Sequence, residues 1–388
     1  MILGYLLIGL ALVATLGATV LFTKARRGGS YARLLRPARA LAVTATAGVV
    51  GASVYLSYLL FTHQFQVAYV ASFSARDQAA KYLFAAFWGG QEGSILLWAF
   101  WTSVMGALLA WRGGGREAKV WPIFGFVQLF LLGLLLIKSP FALGAGPVPR
   151  DGQGLNPLLQ NYWMVIHPPV LFLGFASLVV PYAWTVYGLL FRDWDGWVKL
   201  AFPWTLFAFA SLGFGVALGG YWAYETLGWG GFWAWDPVEN TSIVPWLFVT
   251  ALLHGFAIQR GNGGYKATNL FLGFLPFACM FYGTFLTRTG VLEGFSNHTF
   301  SSLGPDGYWL ILSGVLTSAL VPLALFVARV RSIPKPPAYE RVVTREFGFF
   351  LASALLGIIG LITAVGMSAP ILTRQLGRFV HGFLIEGK

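Results

Sequence analysis

Residues 2–22 read Ile2-Leu3-Gly4-Tyr5-Leu6-Leu7-Ile8-Gly9-Leu10-Ala11-Leu12-Val13-Ala14-Thr15-Leu16-Gly17-Ala18-Thr19-Val20-Leu21-Phe22, without one charged side chain. An α-helix crosses a hydrocarbon layer of about 30 Å with roughly 20 such residues. Nine further runs of this kind follow, at approximately 39–61, 93–111, 120–137, 169–191, 201–219, 241–258, 270–286, 308–328 and 347–367. The first run lacks a basic leader and a small-residue cleavage site, and a basic loop follows it, so it reads as a helix and not as a signal peptide. The whole chain agrees: 57% of its 388 residues are hydrophobic and 10% charged, where a soluble domain carries roughly 25% charged. The expected fold is an all-α integral membrane protein, a bundle of about ten transmembrane helices forming one multi-spanning domain over 1–388.

The formal charge of +12 does not indicate nucleic acid, because the basic residues fall in short clusters between apolar runs and form no patch. Loops after the odd-numbered runs hold 18 of the 26 Lys and Arg. By the positive-inside rule those loops face the cytoplasm, and both termini lie outside it. In a bacterium this is the cytoplasmic (inner) membrane, with the opposite loops in the periplasm. Those outer loops, 62–92, 138–168, 220–240 and 287–307, are long, aromatic and Gly-rich, and hold eight of the fourteen acidic residues. Function is therefore expected on the outer face. The single Cys279 excludes an internal disulfide and a cysteine-based metal site, and the chain has no Cys-x-x-Cys-His of its own.

Five histidines stand out against this background. His254 lies inside the seventh run, where an ionisable group is a functional candidate by default; a neutral imidazole bonded to a neighbouring helix is the alternative. Gly255 beside it leaves room for a flat macrocycle to approach the backbone. His167, before the fifth run, and His298, after the eighth, share the outer side. Two such side chains could bind one haem iron from its two faces, or each could make an ordinary surface hydrogen bond. His63 and His381 have no supporting context.

Between His167 and His298 lies Gly228-Trp229-Gly230-Gly231-Phe232-Trp233-Ala234-Trp235-Asp236-Pro237-Val238-Glu239-Asn240, preceded by Tyr221, Trp222 and Tyr224. An interfacial aromatic belt needs scattered rings. Three Trp within seven residues, with Gly230 and Gly231 clearing space, suit a shelf for a flat apolar ligand. Asp236, before Pro237, reads as a turn or cap for the next helix; contact of Asp236 or Glu239 with a haem edge is the other role open to them.

Gly228–Asn240 resembles the WWD loop of haem-handling membrane proteins. Trp88-Gly89-Gly90-Gln91-Glu92-Gly93-Ser94, Gly154–Asn161, Met164–Pro169 and Gly283–Val291 narrow the resemblance to the CcmF family, haem lyases of the bacterial cytochrome c maturation system, over about residues 76–300. The resemblance implies that His167 and His298 ligate a delivered haem, the substrate, held against Trp229, Gly230, Gly231, Trp233, Trp235 and Asp236. It implies that His254 is one axial ligand of a resident haem b. It implies a CcmE-like haem chaperone, an apocytochrome c with a Cys-x-x-Cys-His motif, CcmH/CcmG-like thiol proteins and a quinol as partners, and no nucleic acid. Family members are longer and supply a second membrane histidine to the resident haem from a later helix. The 368–388 tail matches no part of that pattern, so the sequence is either incomplete relative to the family or ligates that haem differently.

Adding a thiol across a vinyl group requires no acid–base pair, and none at characteristic spacing is present; the cofactor supplies the electronics and the protein the orientation. Three other readings are a haem transporter or exporter, which needs a polar path through the bundle, a membrane haem-b electron carrier, which needs paired histidines at one depth, and an assembly scaffold, for which the outer histidines would be dispensable.

Overall fold

The computed structural model describes residues 1–293, 296 and 303–386, with side chains as far as Arg374. Among the described residues the chain is helical, without strands, and forms two compact units. The first comprises Met1–Phe232 and Ala324–Pro334, the second Trp233–Leu323 and Lys335–Lys388.

The first unit contains α1 (Ile2–Ala25), α2 (Leu35–Phe61), α3 (Ala68–Phe73), α4 (Ala80–Gly89), α5 (Gln91–Arg112), α6 (Trp121–Ile137), α7 (Tyr162–Ser177), α8 (Val179–Phe191) and α9 (Gly196–Thr226). The second is built on α10 (Pro237–Asn262), α11 (Lys266–Arg288), most of α12 (Gly304–Arg329) and α13 (Arg345–Glu386). Nine helical segments among the described residues are long and apolar enough to span a membrane; the fourth run, 120–137, became α6, with 17 residues, at the short end of that range. The apolar side chains that do not pack inward form continuous exposed faces, such as Leu6, Leu10 and Val13 on α1 and Ile358, Leu361 and Ile362 on α13. Surfaces of that kind are stable only against lipid or another apolar partner. The protein is a multi-pass membrane protein.

In the first unit, one end of the bundle is basic and the other aromatic. At the basic end the Arg39 guanidinium donates from Nε to the buried Glu117 carboxylate at 2.8 Å, pinning the turn after α5 to α2. At the other end the Met1 amine donates to Tyr55 Oη at 2.7 Å, and the two outer loops pair through Ala68 N–H to Ala142 O and Gly144 N–H to Gln66 O. Asp151 Oδ1 accepts from the Arg76 and Gly152 amides at 2.9 and 2.7 Å, and the Arg76 amide bond above all holds its carboxyl below the usual carboxylate range.

Four sequence expectations change in detail. His167 is not in a loop: α7 begins five residues earlier, capped by Asn161, whose side chain accepts from Trp163 N–H at 2.8 Å. Pro168 and Pro169 sit inside that helix, although such residues normally mark its first turn. Outer loop 62–92 folds into α3 and α4. Residues 220–226 of the tryptophan-rich loop are the last turns of α9, so its irregular part is 227–236. The 368–388 segment continues α13 as far as Glu386, Pro370 being accommodated within the helix.

Candidate functional site

His167 is seated by glycine. Gly215 and Gly219 of α9 are four residues apart on one face, a small-residue spacing that lets membrane helices approach closely. A Cβ on Gly219 would lie 2.6 Å from His167 Cε1, and one on Gly215 would lie 2.7 Å from Leu171 Cα. Within this contact His167 Nδ1 lies 2.8 Å from the carbonyl oxygen of Gly215. A carbonyl only accepts, so Nδ1 carries the proton and, in the neutral ring, Nε2 carries the lone pair. That is the tautomer of an Nε2 metal ligand, oriented by a backbone carbonyl.

The turn before His167 is held from outside its own helix. Pro168 has no N–H to give to Met164 O, four residues back. The Trp88 indole donates to that carbonyl instead, at 2.9 Å. Trp88 comes from the Trp-Gly-Gly-Gln stretch that joins α4 to α5. There, Gly90 and Gly93 have no room for a side chain against Tyr69.

Above His167 the rings come from α7, α9 and the loop that follows α9. Trp163 stacks on Tyr221, centroids 5.1 Å apart, and Tyr221 meets Phe232 edge-on at 5.3 Å. Tyr224 and Phe232 lie nearly parallel, 4.6 Å apart with a 9° interplanar angle. Trp222, Ala223 and Leu227 form a buried cluster against which Leu159, Trp163 and Met164 pack, and the Trp222 indole donates to Leu158 O at 3.2 Å. Trp229 stays exposed and donates to Gly231 O at 3.1 Å across a turn with Gly230 at φ +67°.

The second unit begins at Trp233 and carries the rest of the signature. Trp233 and Trp235 meet at 83°, 6.4 Å apart. Trp235 is 63% exposed and held at φ +59°, in the left-handed region. Its neighbours stabilise that turn. Asn240 Nδ2 donates to Trp235 O at 3.0 Å, and Ala234 N–H donates to Glu239 Oε2 at 2.8 Å. Asp236 Oδ2 accepts from the Val238 and Glu239 amides and from Ser296 Oγ. Trp233 and Trp235, being nearly perpendicular, do not share one plane. Asp236 and Glu239 shape the turn, Asp236 as the cap of α10.

His254 lies five turns along α10. Its Nδ1 is 2.8 Å from Thr250 O, one turn back, which again fixes the proton on Nδ1. Its ring meets Phe349 of α13 edge-on at 5.9 Å. Gly255, expected to admit a macrocycle, admits a neighbouring helix instead: a Cβ there would lie 1.9 Å from Asn269 Oδ1. Buried Asn269 donates to Gly255 O at 2.9 Å and to Gln259 Oε1 at 2.8 Å, locking α11 to α10. His298 lies outside the described residues. His63 sits at φ +52° beside Phe65, in a tight turn after α2.

Sequence reasoning singled out Trp88 without giving it a role and missed Gly215 and Gly219; all three orient His167 without being ligand types. The four-residue glycine spacing in an apolar run was the available signal for the last two.

A family model described as "Cytochrome C assembly protein" matches residues 88–292, from Trp88 through the His167 seat to the end of the Gly283–Val291 stretch. The cytochrome c-type biogenesis protein CcmF of Pseudomonas fluorescens is 39% identical over 263 residues, 66% of this chain and 40% of its own length. CcmF of Escherichia coli K12 is 35% identical over 380 residues, 96% of this chain and 58% of its own length. A solved structure, "Cytochrome c Heme Lyase CcmF", superposes with a TM-score of 0.75 at 32% identity, covering 96% of this chain and 57% of that one. The chain thus spans about half the length of these relatives. The chain belongs to the cytochrome c assembly protein family.

Proposed function

We propose that the chain is the haem-handling part of a cytochrome c haem lyase. In this reading His167 and His298 ligate a haem brought by a CcmE-like chaperone, and the surface carrying Trp229, Gly230, Gly231, Trp233 and Trp235 receives its macrocycle on the outer, periplasmic face. Asp236 contributes by shaping that surface. An apocytochrome c, kept reduced by CcmH/CcmG-like proteins, presents its Cys-x-x-Cys-His thiols. Each S–H adds across a vinyl C=C, forming one C–S and one C–H bond with no net oxidation.

The observation that carries this reading is the Nδ1–H bond of His167 to Gly215 O, which leaves Nε2 as the basic nitrogen beneath an aromatic surface. His254 has the same arrangement and fits one axial position of a resident haem b. Such a haem supplies one-electron transfer from quinol when bound. The protein's part is to hold the imidazole by Thr250 O and to shield it with Phe349.

The test is reduced-minus-oxidised and pyridine haemochrome spectra of the detergent-purified protein, with His254→Ala and with the pair His167→Ala, His298→Ala. The expected result is a b-type spectrum lost in His254→Ala and kept in the pair, while the pair alone fails to retain haem from a loaded chaperone. A chain that takes up no haem at either place, with cytochrome c production unchanged in both variants, would sink the reading.

A further inference from the structure

A cavity lies at the basic end of the first unit, at the opposite end of α9 from the aromatic rings. It is a cleft of about 460 Å³ among α5, α8 and α9, within the usual size range of ligand sites. Its mouth carries three cations from separate places: Arg112 in the last turn of α5, Arg116 in the turn that follows, and Lys199 in the first turn of α9. All three are exposed, and no carboxylate lines the cleft. The nearby Glu117 is already bound by Arg39. Deeper in, the lining changes to Leu108, Trp204 and Phe207. From Lys199 to Phe207 the wall descends about 12 Å at 1.5 Å per residue.

We infer that this cleft binds one anionic phospholipid, its phosphate at Arg112, Arg116 and Lys199 and an acyl chain along Leu108, Trp204 and Phe207. Charge complementarity selects an anionic headgroup, and the apolar wall below it selects a chain over a free ion. Basic pockets between membrane helices, on the side that the positive-inside rule assigns to the cytoplasm, meet the leaflet richest in such lipids. The site requires neither haem nor lyase activity, so it stands or falls apart from the proposed function.

The test is native mass spectrometry of the detergent-purified chain equilibrated with equal amounts of phosphatidylglycerol and phosphatidylcholine. One phosphatidylglycerol should be retained in preference by at least about tenfold, given what each interfacial cation contributes. The triple change Arg112→Ser, Arg116→Ser, Lys199→Ser should bring the preference near parity. Leu108→Trp, which fills the cleft with all charges in place, should lower retention too. Arg33→Ser with Arg36→Ser, on the same face but outside the cleft, should leave it intact. The inference is overturned if the unaltered chain shows no preference, if the triple variant and Leu108→Trp both retain the lipid, if the Arg33/Arg36 pair abolishes retention equally, or if millimolar inorganic phosphate strips the lipid completely.

Discussion

His167 and His254 reach the same chemical state by different routes. Each has Nδ1 2.8 Å from a backbone carbonyl, but His167 uses Gly215 of a neighbouring helix and His254 uses Thr250 of its own. The first imidazole is set by how closely α7 and α9 pack, the second by the regularity of α10 alone. A ligand site whose geometry depends on helix packing can be altered from a distance, while one held within a single helix persists as long as that helix does. Under the proposed function, the exchangeable, substrate-handling role would fall to the neighbour-held histidine and the resident role to the self-held one.

Gly219→Leu attacks the difference most directly. The new side chain would enter the space of the His167 ring, and overpacking of this kind costs about 1–3 kcal/mol. Thermal unfolding in detergent should show that loss. Nitrogen NMR of labelled histidine should show the His167 ring losing its Nδ1–H bond while His254 keeps its own. A variant in which both rings change, or neither, would break the comparison.

Gly255→Ala is the counterpart in the second unit. It should destabilise the α10–α11 contact by about 1–2 kcal/mol, because Asn269 has to leave its two bonds, yet the His254 Nδ1 signal should stay put. If that signal shifts as much as the His167 signal does in Gly219→Leu, His254 is not self-held.

Trp88→Phe removes the indole that replaces the hydrogen bond lost at Pro168. About 1 kcal/mol should be lost, with faster amide exchange confined to the first turns of α7. Uniform exchange across the first unit would mean that Trp88 acts through general packing.

The smallest effect concerns the loop contact at Asp151. Its carboxyl titrates lower in the folded chain than in the unfolded one, so its contribution is present at neutral pH and is lost as pH falls through the folded value, below the usual carboxylate range. Asp151→Asn should abolish that acid dependence and speed protease cleavage between 142 and 155 at neutral pH, without touching either histidine. Unchanged cleavage would remove Asp151 from the loop contact.

The spans were readable in the sequence because a membrane helix announces itself by composition alone. Their ends were not, because helix start signals compete. At 161–169 the Asn161 cap and the proline pair both mark a start, and tertiary contact with Trp88 let the earlier one win. The histidines that the proposed function uses stood out in the sequence since His is rare here and an ionisable group in a span is costly. Their seats were not. Gly215, Gly219 and Trp88 act by closeness and by one hydrogen bond each, and such roles exist only once helices are paired. Gly255 was misjudged for the same reason: the room beside His254 is filled by a side chain from α11, and nothing in the local sequence says so.

Helix α9 also works as a depth gauge. Lys199 and Tyr221 are 22 residues apart, about 33 Å along a helix axis, which matches the thickness of the hydrocarbon layer. With Lys199 at one boundary, Tyr221, Trp222 and Tyr224 stand at the other, level with the headgroups. Gly215 and Gly219, which seat His167, come about 3–9 Å earlier along the axis. The aromatic surface therefore straddles two dielectric regimes. A flat ligand on it would keep one edge among water and headgroups, open to a soluble reactant, while its centre met the imidazole where charges are screened far less.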